Sequence, residues 1–157
     1  MTSQTSVVFF SQRLWCTVGA IFAALGVVFG AFGAHFLDPI LLDVHKSAEP
    51  KIIAGLEVPA SYKYLQDFKT GSAYHLAHAL AIVLVGFLGR RGKARFFAHA
   101  AAGCFVGGIV LFSGGLYLLS TTGVTWLAHV VPIGGLLFIV GWILFATAAA
   151  MPRSGSR

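Results

Sequence analysis

The chain has 157 residues, of which 57% are hydrophobic and only 10% are Asp, Glu, Lys or Arg. A soluble domain of this size carries about 25% charged residues, so this chain cannot build an ordinary wet surface. Lipid solvates apolar side chains directly and removes that need. The formal charge of +6 sits in short stretches beside apolar runs rather than on one basic face, which argues against a nucleic-acid partner.

The first element lies between Arg13 and Asp38, where 24 residues contain no charged side chain. About 20 apolar residues suffice to cross the hydrocarbon core, so residues 14–37 are a predicted span. This run exceeds the roughly 7–15 residues of a signal-peptide core, and we read it as a retained helix. Cys16 within it and Cys104 further on both sit in apolar runs, with neither disulfide nor zinc spacing.

Residues 38–69 differ from the rest. They hold all five acidic residues, four lysines, Pro50 and Pro59, and read as an extracytoplasmic surface loop. From Ser61 the near-helical spacing of Tyr62, Leu65 and Phe68 predicts a helix running straight into the next span. Tyr62 and Tyr64 are expected at headgroup level, where aromatic rings are favoured.

Residues 70–89 form a second uncharged run of 20 residues, less apolar because it carries Tyr74, His75 and His78. From Phe96 to Pro152, 57 residues pass without a charge, far more than one crossing needs. The polar break Ser120-Thr121-Thr122-Gly123 divides them into predicted spans at 96–119 and 127–150. A soluble bundle would need a polar stripe on every helix, and the last two have none. A β-barrel would need alternating polarity. The predicted fold is therefore all-α, a single integral membrane domain forming a four-helix bundle of hairpin topology.

Basic residues set the expected orientation. Arg13, Arg90, Arg91, Lys93, Arg95, Arg153 and Arg157 all fall on one side. That side, with both termini, is predicted to be cytoplasmic, in the plasma (inner) membrane. Because lipid removes the hydrophobic drive between helices, small residues should mark the contacts. Gly19, Ala23, Gly26, Gly30 and Ala34 do so in helix one, Gly103, Gly107, Gly114 and Gly115 in helix three, and Gly134, Gly135 and Gly141 in helix four. The run from Gly30 to Ala34 is no dinucleotide fingerprint, since it lies inside a spanning helix rather than after a strand.

Hairpin topology brings the end of helix one, the start of two, the end of three and the start of four to one face. The polar residues there are His35, Tyr74, His75, His78, Ser113, Tyr117 and His129. A polar group in a bilayer needs a partner or water, so His78 is expected to face inward and bond to Ser113 or Tyr117. His75 and His78, three apart, are expected to share a face, as are Tyr74 and His78. Three uses fit such a set. One is an interhelical hydrogen-bond network. Another is a proton or small-solute pathway, since His titrates near neutrality. The third is a metal site at His35, His75, His78 and His129, weakened by the lack of any carboxylate in the spans. His99 is expected at the opposite interface, and His45 reads as a loop residue without a role. No nucleophile–base pair or paired carboxylate stands out.

Several motifs in order resemble a known family. They are Gly30-Ala31-Phe32-Gly33-Ala34-His35, Thr70-Gly71 with Tyr74 and His78, Leu111-Phe112-Ser113-Gly114-Gly115-Leu116-Tyr117, and Pro132-Ile133-Gly134-Gly135 followed by Gly141-Trp142. Together they resemble the small uncharacterised inner-membrane family that includes YgdD and YwdK. The resemblance implies a four-helix multi-pass membrane protein and supplies no activity. Gly115 and Val131 replace that family's Ser and Thr, His75 and His129 lie outside its pattern, and the loop after helix one looks longer. The set it shares is His35, Tyr74, His78, Ser113 and Tyr117. The expected function is a non-enzymatic packing or assembly role, with transport past His78 as the alternative and a His-based enzyme or metal site after that. The expected partners are the lipid bilayer and other membrane helices, from a second copy or another protein, and no cofactor is expected.

Overall fold

The computed structural model describes residues 2–90 and 92–152, with side chains from Gln12 onward. Arg91, Arg153 and Arg157, counted above with the basic side, lie outside the described residues. Four helices are long and apolar enough to cross a membrane, at Gln12–His35, Ala60–Leu88, Gly92–Thr122 and Thr125–Ala150. The first belongs to α1 (Thr2–His35) and the second is α3 (Ala60–Leu88). The third is one rod made of α4 (Gly92–Gly108), a π-helical turn (Ile109–Ser113) and α5 (Gly114–Thr122). The fourth joins a 3-10 turn (Thr125–His129) to α6 (Val131–Ala150).

The spans neighbour one another in chain order. α1 packs on α3, α3 on the α4–α5 rod, and α4 on α6. The inner two are therefore the buried ones: 44% and 50% of their most apolar stretches are covered, against 11% and 17% in the outer two. Side chains such as Ile21, Val28, Ile139 and Ile143 point outward, which only lipid or another apolar helix could solvate.

Glycines set how closely the rods approach. A methyl group on Gly19 would lie 2.7 Å from the Val83 backbone nitrogen. One on Gly134 would lie 2.3 Å from that of Phe112, so α6 rests directly on the π turn. Such contact gains dispersion energy and needs a small residue. Of the glycines expected at contacts, Gly103 meets nothing within 4 Å and Gly114 only its own helix. Gly108, which the sequence pattern did not single out, packs against the Phe138 ring.

The segment read as a surface loop with local helix carries a short helix and a hairpin. α2 (Leu37–Val44) follows α1 after a single residue, with Pro39 in its first turn, where the missing N–H costs nothing. Leu37 and Leu41, one turn apart, are buried against Tyr64, Phe68, Tyr117 and Leu119. Strands β1 (Lys51–Ile53) and β2 (Leu56–Val58) pair antiparallel through the two-residue turn Ala54-Gly55, both at positive φ, as a tight hairpin requires. Tyr62 is exposed, but Tyr64, expected at headgroup level, is buried beneath α2. The face carrying α2 and the hairpin is called the loop face below, and the opposite one, carrying Arg90 and Arg95, the basic face.

Candidate functional site

The polar residues on α3 divide between two neighbours. Residues three apart on a helix differ by about 60° in direction, enough to send His75 and His78 to different partners. His78 is 6% exposed and turns toward α6. Its Nδ1–H donates to the Tyr74 carbonyl at 2.8 Å, and its Nε2 accepts from Trp142 Nε1 at 3.1 Å. A carbonyl only accepts and an indole N–H only donates, so these partners fix the neutral tautomer with the proton on Nδ1. The ring also stacks on Phe138, with centroids 3.5 Å apart and planes 11° apart. The expected bond from His78 to Ser113 or Tyr117 is not formed, because those side chains lie on another side of α3.

His75 takes that place. It is 4% exposed, and its Nδ1 lies 3.3 Å from the Tyr117 hydroxyl. Phe22 and Phe29 of α1 flank the imidazole, and Phe29 stacks on Tyr117 at 4.4 Å. His75 Nε2 is buried without a hydrogen-bond partner. Ser113 is fully buried at the end of the π turn, and its hydroxyl is unpartnered too. Gly71, one turn before His75, leaves the room that Tyr117 and the Ser113 backbone occupy.

The remaining candidates do not join either group. Tyr74 is 47% exposed and lays its ring against His78, Phe112 and Phe138. His35 is exposed, with its ring edge-on to Phe36. His129 is exposed and bonds to the Trp126 carbonyl at 3.2 Å. The four histidines weighed as metal ligands therefore do not converge, and among the described residues no group of three metal-ligating side chains does.

Three contacts were missed in sequence. His45 is buried, stacks on Tyr64 at 3.9 Å, and donates from Nε2 to the Ser120 carbonyl at 2.8 Å. Ser120 in turn bonds to the Tyr64 carbonyl at 2.9 Å. His45 thus pins α2 to α3 and α5 and borders an open cup of about 590 Å³ beneath the hairpin. Trp142 is the second: a Trp N–H inside an apolar span needs an acceptor, which was a readable signal. The third is Trp15, whose Nε1 donates to His99 Nδ1 at 3.0 Å.

Over residues 29–135 the chain matches the family described as "protein of unknown function (DUF423)". It is similar to the UPF0382 membrane protein YwdK of Bacillus subtilis (strain 168), 38% identical over 138 residues that cover 88% of this chain and 97% of that protein. The UPF0382 membrane protein SAB0533 of Staphylococcus aureus is 32% identical over 87% of this chain and 95% of its own length. A UPF0382 membrane protein of Haemophilus influenzae is 30% identical over 91% of this chain and 98% of its own. No solved structure matches the chain. With four spanning helices, a family match across most of its length and relatives named as membrane proteins, the chain belongs to the DUF423 family of multi-pass membrane proteins.

Proposed function

We propose that the protein is a non-catalytic membrane component that packs with other helices in the plasma (inner) membrane, its basic face and both termini cytoplasmic. His78 carries this reading. Both ring nitrogens are engaged, by the Tyr74 carbonyl and by Trp142, and Phe138 covers one ring face. A proton relay needs one nitrogen free to take up a proton while the other releases one. His78 instead ties α3 to α6. The exposed apolar faces of α1 and α6 suit contact with lipid or with further helices.

A second reading, passage of protons or a small solute, has its support at His75. Its Nε2 and the Ser113 hydroxyl are buried polar groups without partners, beside Tyr117 and a π turn. Such turns are frequent at functional sites. Reconstitution into liposomes separates the two. The packing role predicts proton flux equal to empty-vesicle leak, and His78→Ala lowering thermal stability without changing that flux. Flux above leak that disappears in His75→Ala would overturn it in favour of passage.

A further inference from the structure

On the basic face, α1, α3 and α4 enclose a recess of about 10 Å³, a volume that admits one oxygen atom. Gln12, Arg90, Arg95 and His99 line it. Most of the polar groups they bring are donors. Arg90 spends its two terminal nitrogens on the carbonyls of Ala149 and Met151, capping the end of α6, while its Nε–H is buried without a partner. His99 accepts from Trp15 at Nδ1, which leaves the proton of the neutral ring on Nε2. The Gln12 amide nitrogen lies against Gly89 at the recess wall. Arg95 is half-buried and makes no ion pair among the described residues.

Among the described residues no carboxylate balances these charges locally. All five acidic residues fall between Asp38 and Asp67, on the loop face. The Arg95 guanidinium, the one unpartnered N–H of Arg90 and two neutral donors around a hole for one oxygen atom call for an anionic oxygen. The recess also sits where the spans end, at headgroup depth, beside a tryptophan of the type that anchors at that level.

We propose that this recess holds one phosphate oxygen of an anionic phospholipid, so that a bound lipid headgroup joins α1, α3 and α4 on the basic face. The chemistry is that of a phosphate, and the lipid rather than free phosphate is the source. Binding is measured as the rise in melting temperature of the full chain in dodecyl maltoside on titration with dioctanoyl phosphatidylglycerol. The titration should saturate. Arg95→Gln should raise the half-saturating concentration about tenfold, the loss expected for one charge-assisted hydrogen bond. Lys93→Gln, which removes the same charge from an exposed site on the same face, should leave it unchanged. Gln12→Ala, which alters no charge, should raise it severalfold and serves as the test if Arg95→Gln does not fold. Equal losses in Arg95→Gln and Lys93→Gln would reduce the effect to general surface charge and overturn the site. An equal gain from dioctanoylglycerol, which lacks the phosphate, would overturn it too. A full gain from inorganic phosphate alone would overturn the lipid as the source.

Discussion

The indole of Trp142 donates to His78 across 3.1 Å, joining α6 to α3, two spans that otherwise meet mainly through the Phe138 ring against His78 and Tyr74. Trp15 and His99 repeat the device between α1 and α4 near the basic face. In each pair a donor-only indole meets an imidazole nitrogen, so each ring is held as one neutral tautomer. The chain-order packing of the helices leaves these pairs of spans without a broad interface, and the Trp–His bonds strengthen the few contacts they have.

Removing one member of the first pair leaves the other buried and unpaired. Trp142→Phe and His78→Phe should each destabilise the protein, by about 1–3 kcal/mol. The double variant should cost less than their sum, with a coupling of about 0.6–2 kcal/mol. Thermal or denaturant melts in detergent give the values, and additivity within error would show that the bond carries no stability.

His45→Ala should loosen α2 and the hairpin while sparing the spans. It removes a buried hydrogen bond and a ring stack, together about 1–2 kcal/mol of local stability. Trypsin should then cut after Lys46 or Lys51 severalfold faster, with the melting of the helical signal little changed. Unchanged cleavage rates would show that α2 is held by Leu37 and Leu41 alone.

Gly134 and Gly103 make an opposed pair of tests. An added methyl at Gly134 meets the Phe112 backbone, which cannot yield cheaply, so Gly134→Ala should cost about 1–3 kcal/mol. At Gly103 the space is open, and Gly103→Ala should be neutral or stabilise by up to about 1 kcal/mol through helix propensity. Melts of the two variants should move in opposite directions or differ by that margin.

Orientation is open to direct labelling. In a Cys16→Ala/Cys104→Ala background, a cysteine placed at Ser47 on the loop face should react with a membrane-impermeant maleimide added to intact cells. One placed at Lys93 on the basic face should react only after lysis. The reverse pattern would invert the assignment made from Lys and Arg counts.

The four spans were legible because lipid excludes charge, so uncharged stretches of 24, 20 and 57 residues leave little else for the chain to do. The end of the third rod was legible at Ser120–Gly123, and Gly123 does take the left-handed conformation, φ 70°, that stops a helix. The packing of α2 was hidden because only Leu37 and Leu41 of its five apolar residues are buried, too few to mark a face in an eight-residue stretch. His45 was hidden for a different reason: its partner is the carbonyl of Ser120, and a backbone acceptor 75 residues away leaves no trace in residue identity. The roles of His75 and His78 were exchanged because spacing of three gives proximity on a helix but not a common partner. That distinction depends on where α1 and α6 lie, which only the packed structure supplies.

The π turn at Ile109–Ser113 adds one residue to a helical circuit, and this rephases everything after it. Before the turn, α4 leans on α6 and α3; beyond it, α5 keeps α3 and adds α2. A single crossing thereby serves two sets of neighbours in succession, like a rail that changes sides at a switch. Excising one residue there would restore regular winding and swing Tyr117 by about 100°, away from His75. The length of this rod is thus fixed to the residue, whereas the α2 and hairpin excursion before α3 has no such phase to keep.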